Sequence, residues 1–491
     1  MSNDSSVTQH VARWICDLRF ESIPRRVVEE AKNQILSMVA AVHAGHFSEP
    51  GRIVTRTVRE WSTGKDATLI PSGEKAGLHH VLLANAALGM ALDYDDYLFA
   101  GHTGHSAVLG SLACAEANNG SGPEVLAAQV VANELGGRLG AVCLGGPLNG
   151  QMWSFIHLAA GAAAAARLLK LDQEKTYAAL NLAMVQPTTP LKAGFFGTEG
   201  KTLLAASNLV FGVQAAQFAA HGLRVAADTW QGEDGFEKHF AVPLQPAFET
   251  LGQVWVTETL SYKTYPGCAY LDAALDCVLS LQRQHNIDGR KVKAVRIAAT
   301  PLTVGMEAWS SPYLRGPDSL PVTLNFSVAY SVAAALLDKE LTARQFLPER
   351  IRDAATWALA GRVELSMDEQ LTRKLQEASL LRVDPARPGT QPTLLWDPRL
   401  LQTIRMAFGA RVQIEMENGR TFEAEQEVPF GAYGRPFDDR RKQVEDKFRR
   451  ETRYTLRKER MEKAIDMIFH LEDLNAAQVR EMIRCCCSER T

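Results

Sequence analysis

The feature that most limits what this chain can fold into is a change of hydrophobic period near residue 258. Before it, apolar residues recur at helical spacing; after it, short runs alternate at every second residue. In "IPRRVVEEAKNQILSMVAAVHAG", Pro24 stands at a helix start and Val27, Val28, Ala31, Ile35 and Val39 share one face. Gly45 falls where a helix would end. "GPEVLAAQVVANELGGRLG", "GAAAAARLLKL" and "DQEKTYAALNLAMVQ" extend the pattern, and their alanines let helices approach closely. Beyond "YPGCAYLDAALDCVLSLQRQHNIDG", the runs "KVKAVRIAAT" and "RVELSM" read as strands. "ARVQIEMENGRTFEAEQE" reads as a hairpin, with Val412, Ile414 and Met416 alternating up to Asn418-Gly419, the dipeptide of a tight primed turn. From Asp438 the pattern is helical again. The expectation is a mainly α fold: a large all-helical bundle domain built from residues 1–258 and 429–491, with a smaller α+β lid domain inserted over 259–428.

A chain of 491 residues suits about two domains. The net charge of −3, without a large basic block, argues against nucleic acid as the main partner. "RRKQVEDKFRRETRYTLRKERMEK" mixes both signs and reads as a solvated helix face. The N-terminus shows no basic segment followed by an apolar one, so no secretory signal is expected. The apolar stretches are interrupted too early for a membrane span. Of eight cysteines, Cys16, Cys114, Cys143, Cys268 and Cys277 are scattered and Cys485-Cys486-Cys487 are consecutive, with no CxxC pair. This reads as reduced thiols in a cytoplasmic protein, the triplet as a frayed, reactive tail.

The densest polar segment is "DYDDYLFAGHTGH", Asp93 to His105, which closes a strongly apolar run. Asp95 and Asp96 with His102 and His105 offer metal-ligand chemistry, but no distant Glu or His motif completes a shell, so no metal is expected. An acid–base reading needs one histidine, oriented by a neighbouring carboxylate that fixes its tautomer and raises its basicity. A third reading has the aspartates capping the helix "SAVLGSLACAEA". "GFFGTEGKT" fails as a phosphate loop, because the leading glycine would have to stand at Phe195. Instead it delivers Lys201 to a helix start, either as a carboxylate-binding corner or as a surface lysine. Lys263, beside Tyr265-Pro266-Gly267, also precedes a helix and could equally be a hinge lysine. Tyr330, in "LNFSVAYSVAAALLD", is a core tyrosine or a phenol facing a cleft.

The order of "ALDYDD…GHTGHSAVL", "GAAAAARLL", "FGTEGKT…FGVQAAQFAAHG", "KTYPGCAYLDAALD" and "NFSVAYSVAAALLD" resembles the MmgE/PrpD family over nearly the whole chain. That family includes methylcitrate dehydratase, cis-aconitate decarboxylase and iminodisuccinate epimerase. The resemblance implies a homodimer and a cofactor-free active site between the helical domain and the lid. Asp95-Asp96-Tyr97 and His102-Thr103-Gly104 fill the places of Asp-Asp-Thr and His-Pro-Gly, with His105 a second candidate for the histidine. Gly200-Lys201 with Gly212, Lys263-Thr264-Tyr265-Pro266 and Phe326-Ser327-Val328-Ala329-Tyr330 match three further motifs. Elsewhere the chain departs from the pattern. A family histidine falls near Gln151 or Met152, with His157 offset from it. Leu204, Ser207, Ala269 and Asp272 replace histidines and arginines.

The implied chemistry removes a proton, or carbon dioxide, next to a carboxylate. It assigns catalytic roles to His102, Lys201, Lys263, Tyr330 and Asp96, and substrate contacts to Asp95, His105, Tyr97, Met152 and Tyr265. With several cationic positions gone, a tricarboxylate would be poorly paired in a dry site, so a less charged acid is expected. A lyase leads the readings, ahead of an isomerase, epimerase or cyclase using the same groups, and of a catalytically degenerate binding or structural dimer.

Overall fold

The structure is a computed structural model, which describes residues 6–147, 154–382, 393–394 and 397–488. The elements that position the site begin with α1 (Arg25–His46), α2 (Leu78–Met90), the short strand β1 (Asp96–Tyr97), α3 (Gly122–Leu144), α4 (Ile156–Leu168) and α5 (Gln173–Ala183). A short α6 (Lys192–Gly197) and the long α7 (Leu203–Ala220) precede β2 (Ser261–Tyr262). Then come α8 (Asp272–His285), β3 (Val292–Ala299), α9 (Pro301–Ser310), α10 (Val328–Asp338), β4 (Val363–Met367), β5 (Ala410–Met416) and β6 (Thr421–Gln426). The chain closes with α11 (Phe437–Thr452), α12 (Lys458–Phe469) and α13 (Ala476–Cys485).

The fold is mainly α. One apolar core joins Val39, Leu82, Val131, Leu158 and Leu209 to Val444, Phe448, Ile465 and Val479, so both ends of the chain share it. A second core gathers Leu275, Val295, Ile297, Ala333, Val412 and Ile414 around the sheet. A third, smaller one brings Tyr97, Phe99 and Leu144 against Ala269, Leu302 and Phe408. The alanines do what their size allows: α4 is buried on nearly every face and packs on α3 and α7. At Gly212 in α7 a Cβ would overlap the Leu158 carbonyl oxygen. The stretch Glu199–Ala220 is long and apolar enough to cross a membrane by composition, yet half of it is buried against other helices.

The four-stranded sheet has the order β6-β5-β3-β4, parallel only between β3 and β4. Val412, Ile414 and Met416 face the core as the alternation requires. The turn differs from the expected two-residue form. Met416 pairs with Arg420 across a three-residue loop, and Gly419 takes a φ of +82°.

Three further expectations need correction. Gly45 lies inside α1, because a Cβ there would overlap the Leu88 carbonyl of α2. The Cys485–Cys487 triplet is buried, not frayed, and burial pushes the Cys487 thiol up to about 12. Its neighbours anchor it: the Cys486 carbonyl lies 2.9 Å from His43 Nε2, and Ser488 N donates to the Pro71 carbonyl at 2.7 Å. The charged C-terminal stretch is solvated on one side only. From α11, Arg440 pairs with the buried Glu30, and Lys447 Nζ donates to the Tyr94 carbonyl at 2.6 Å.

Candidate active site

The site forms where α2 ends and β1 pairs with β2. The register sets Asp96 opposite Tyr262 and Tyr97 opposite Ser261, which brings Lys263 beneath the aspartates. Asp93 leaves the helix with a φ of 50°, a left-handed conformation that aspartate tolerates better than most residues. Its carboxylate meets both lysines. Lys201 donates to Oδ1, and Lys263 Nζ donates to Oδ2 at 2.9 Å. Lys263 also donates to the Asp93 carbonyl at 2.6 Å and to Asp95 Oδ1 at 2.7 Å, so its three protons are all used. The other Asp95 oxygen lies 2.8 Å from His102 Nδ1.

The charge states follow from this pairing. Burial alone would raise the Asp93 carboxyl, but Lys201 and Lys263 outweigh it and hold it at about 2. Burial opposes ionisation of Asp95 as well, and Lys263 with His102 keeps it well below the usual carboxylate range. Burial lowers Lys201 against the pull of Asp93, whereas Asp93 and Asp95 together overcome burial and raise Lys263. With Asp95 ionised, His102 Nδ1–H donates to its oxygen, which fixes the tautomer with the lone pair on Nε2. His102 keeps 28% of its side-chain surface exposed, while Asp95 and both lysines are at 1% or less.

His102, Asp93, Asp95 and Tyr97 line a cavity of about 1070 Å³ of atom-free space, its mouth included. Ser154 and His157 complete its polar end. His157 sits on α4 with Nδ1 3.0 Å from Ser106 Oγ, and burial holds its ring well below the usual range, hence neutral. The rest is apolar: Phe195 and Phe196 from α6, Trp309 from α9, then Phe326, Tyr270 and Phe408.

The remaining expected site residues lie elsewhere. Asp96 points away from Asp95, as neighbours in an extended segment do. Its Oδ2 accepts from Gln34 Nε2 at 2.7 Å, its Oδ1 packs where a Cβ on Gly104 would be, and burial with Asp95 repulsion pushes it up to about 7. His105 stands behind His102, fully buried, with Nδ1 3.9 Å from Asp95 Oδ2; burial lowers it to about 4. The His105 ring meets the His157 ring edge to face at 5.4 Å. His102, not His105, faces the cavity. Neither Tyr330 nor Tyr265 reaches it. Tyr330 OH donates to the Gln345 carbonyl and packs on Phe346 and Trp357, and Tyr265 OH donates to Asp276 Oδ1 at 3.0 Å. Each phenol has a partner within its own unit. Met152 lies outside the described residues.

The alternative readings also resolve. Lys201 and Lys263 are buried ion-pair partners, not surface or hinge lysines. The helix after Gly104 begins with a wide π-turn, His105–Gly110, and no side chain caps it. Among the described residues, no group of three or more His, Cys, Asp or Glu is arranged to hold a metal ion.

Fold and cavity together define a class: a mainly helical protein with a buried cluster of aspartates, lysines and a histidine beside a cavity where the helical body meets a small α+β unit. Its sequence matches the MmgE/PrpD N-terminal domain over residues 9–249 and the MmgE/PrpD C-terminal domain over 265–390. The chain belongs to the MmgE/PrpD family. Relatives include a cis-aconitate decarboxylase-like protein, oryM, of Aspergillus oryzae, 22% identical with 98% of this chain and 97% of the relative aligned. The cis-aconitate decarboxylase of Aspergillus terreus is 24% identical over 74% of this chain and 79% of its own length. The human cis-aconitate decarboxylase is 22% identical over 96% and 93%.

Proposed function

We propose that the chain is a lyase, a dehydratase or decarboxylase, acting on a small organic acid less charged than citrate. The observation that carries this reading is the His102–Asp95 contact of 2.8 Å at the polar end of the cavity. Nε2 takes the proton next to the substrate carboxylate, and Asp95 stabilises the imidazolium that forms. Lys201 and Lys263, fixed behind Asp93 and Asp95, offset charge at the reacting carbon and keep the aspartates ionised. In a dehydration the imidazolium then gives that proton to the departing hydroxide as the C–O bond breaks, releasing water. In a decarboxylation no proton is removed first; an imidazolium at His102 instead protonates the carbanion left when the bond to the carboxyl carbon breaks and carbon dioxide departs. No tyrosine is needed as the donor. The relatives named for cis-aconitate decarboxylation support the lyase class.

The same reading carries a homodimer in the cytoplasm. Support comes from Leu203, Phe218 and Leu223, which are exposed apolar residues on and just after α7, and from eight cysteines that are all unpaired.

A panel of unsaturated and hydroxylated acids, read by mass spectrometry, separates loss of water, loss of carbon dioxide and no mass change. His102→Ala is expected to lower turnover by about 10²–10⁴-fold. Unchanged turnover in that variant would overturn the assignment. Deuterium uptake without mass loss would move the chain to the isomerase reading.

A further inference from the structure

We infer that the substrate is a monocarboxylic acid bearing an aromatic ring or a comparably large flat apolar group, held between two aromatic walls. The inference rests on the acid–base reading of His102 and names the class of acid that this site takes. One wall is Phe195, Phe196, Phe326 and Trp309. Their rings meet one another at 4.9 Å for Phe195–Phe196, 4.8 Å for Phe196–Phe326 and 6.2 Å for Phe196–Trp309. The other is Tyr97, Phe408 and Tyr270, with Phe408 6.0 Å from Tyr97 and 4.7 Å from Tyr270. Both walls line the cavity that holds His102. Rings fixed by contacts with their neighbours keep their shape when a ligand enters. Lys201 Nζ lies over the Phe195 and Phe326 rings at 4.8 and 4.4 Å, and the ring surface that lines the cavity suits another flat apolar group.

Charge balance limits the acid to one carboxylate. The two buried cations, Lys201 and Lys263, are already matched by the carboxylates of Asp93 and Asp95. Among the described residues no lysine or arginine lines the cavity. Lys192 is exposed and its Nζ lies over the Trp309 ring at 4.3 Å, with Trp309 itself half-buried. One substrate carboxylate already enters without a matched cation, since His102 has to stay neutral to act as the base. Each further carboxylate would face Asp93 and Asp95 with no cation of its own in a water-poor space. Leu204 and Ala269, which line the cavity, add apolar surface where a second charge would need a donor.

Calorimetric titration of the full chain with three acids tests this: trans-cinnamate, crotonate (the same unsaturated acid without the ring) and cis-aconitate. Cinnamate is expected to bind at least about tenfold more tightly than crotonate, and cis-aconitate most weakly. Trp309→Ala and Phe408→Leu should each cost cinnamate about tenfold and leave crotonate unchanged. Where a variant does not fold, as judged by its melting curve, the wild-type ranking decides alone. Cis-aconitate binding as tightly as cinnamate, or cinnamate binding indifferent to both substitutions, overturns the inference. Binding does not depend on turnover, so the two readings fail separately. A chain that binds cinnamate tightly but transforms no ring-bearing acid keeps this inference and loses the lyase. His102-dependent turnover of cis-aconitate with weak cinnamate binding does the reverse.

Discussion

Asp95 and Asp96 are adjacent in the chain, equally buried, and electrostatic opposites. Asp95 faces Lys263 and His102 and stays ionised, whereas Asp96 faces the Gln34 amide and is pushed up to about 7. Behind Asp96 lies a neutral polar layer, in which Gln34 also bonds Asn133 and Thr103, and Lys447 is lowered to about 7 by burial. In front lies a compact charged layer of two carboxylates and two ammonium groups. Burial is the same on both sides of the strand, so partners alone decide the charge. A carboxylate that is buried and ionised can orient a catalytic histidine; one that holds its proton supports structure. On the proposed reading Asp95 orients His102, while Asp96 turns to Gln34 and away from the cavity.

The largest expected effect comes from removing the cation that the front layer shares. Lys263→Met leaves Asp93 with Lys201 alone and Asp95 with His102 alone, both still buried. A loss of about 3–5 kcal/mol in unfolding free energy is expected in urea at neutral pH. Asp93, held at about 2, contributes stability that is complete above its unfolded value of 3.8 and lost as pH falls through the folded one. The deficit of the variant should therefore shrink in acid. A loss under about 1 kcal/mol at neutral pH would show that the lysine is not holding the front layer together.

The rear layer has the opposite sign. Asp96 keeps its proton to about 7 when folded but releases it at 3.8 when unfolded. Between those values the folded state binds more protons, so this group costs stability as pH rises from about 4 to 7, and the cost is constant above that. Asp96→Asn, neutral throughout, should match the parent near pH 4 and exceed it by roughly 2–4 kcal/mol at pH 8. Parallel stability curves for the two proteins across that window would show that Asp96 is ionised in the fold, and the contrast with Asp95 would fail.

Parts of this arrangement are legible in the sequence because they are local. The "DYDDYLFAGHTGH" segment carries Asp95, Tyr97 and His102 close together, and Lys201 stands just before α7, whereas Lys263 directly follows β2 and α8 begins only at Asp272. The helical body and the β5–β6 hairpin follow from hydrophobic period. Asp93 was hidden by its role: only the left-handed backbone at the end of α2 turns it toward two lysines that are distant in sequence. Tyr330 and Tyr265 sit in matching motifs, but a phenol takes whatever acceptor packing supplies, and both found one away from the cavity. The aromatic walls come from α6, α9, β1 and three separate loops, and no spacing rule connects these. His157 stands off the family position in sequence, yet α4 carries it to the cavity one ring beyond His105.

The smallest expected effect tests whether His157 belongs with the charged layer or the neutral one. Among the described residues its hydrogen bond is between Nδ1 and Ser106 Oγ, at 3.0 Å, and Ser106 Oγ also donates to the Thr103 carbonyl at 3.1 Å. With that proton on the carbonyl, Ser106 accepts from His157 Nδ1–H, and Nε2 is left as the acceptor in the cavity. Ser106→Ala removes one neutral hydrogen bond and should cost about 1 kcal/mol. If His157 only completes the polar end, turnover falls by no more than about fivefold, the equivalent of that single bond, and the pH profile keeps its shape. A loss approaching that of His102→Ala, with a changed acid limb, would instead make His157 a second proton carrier coupled to Asp95 through His105.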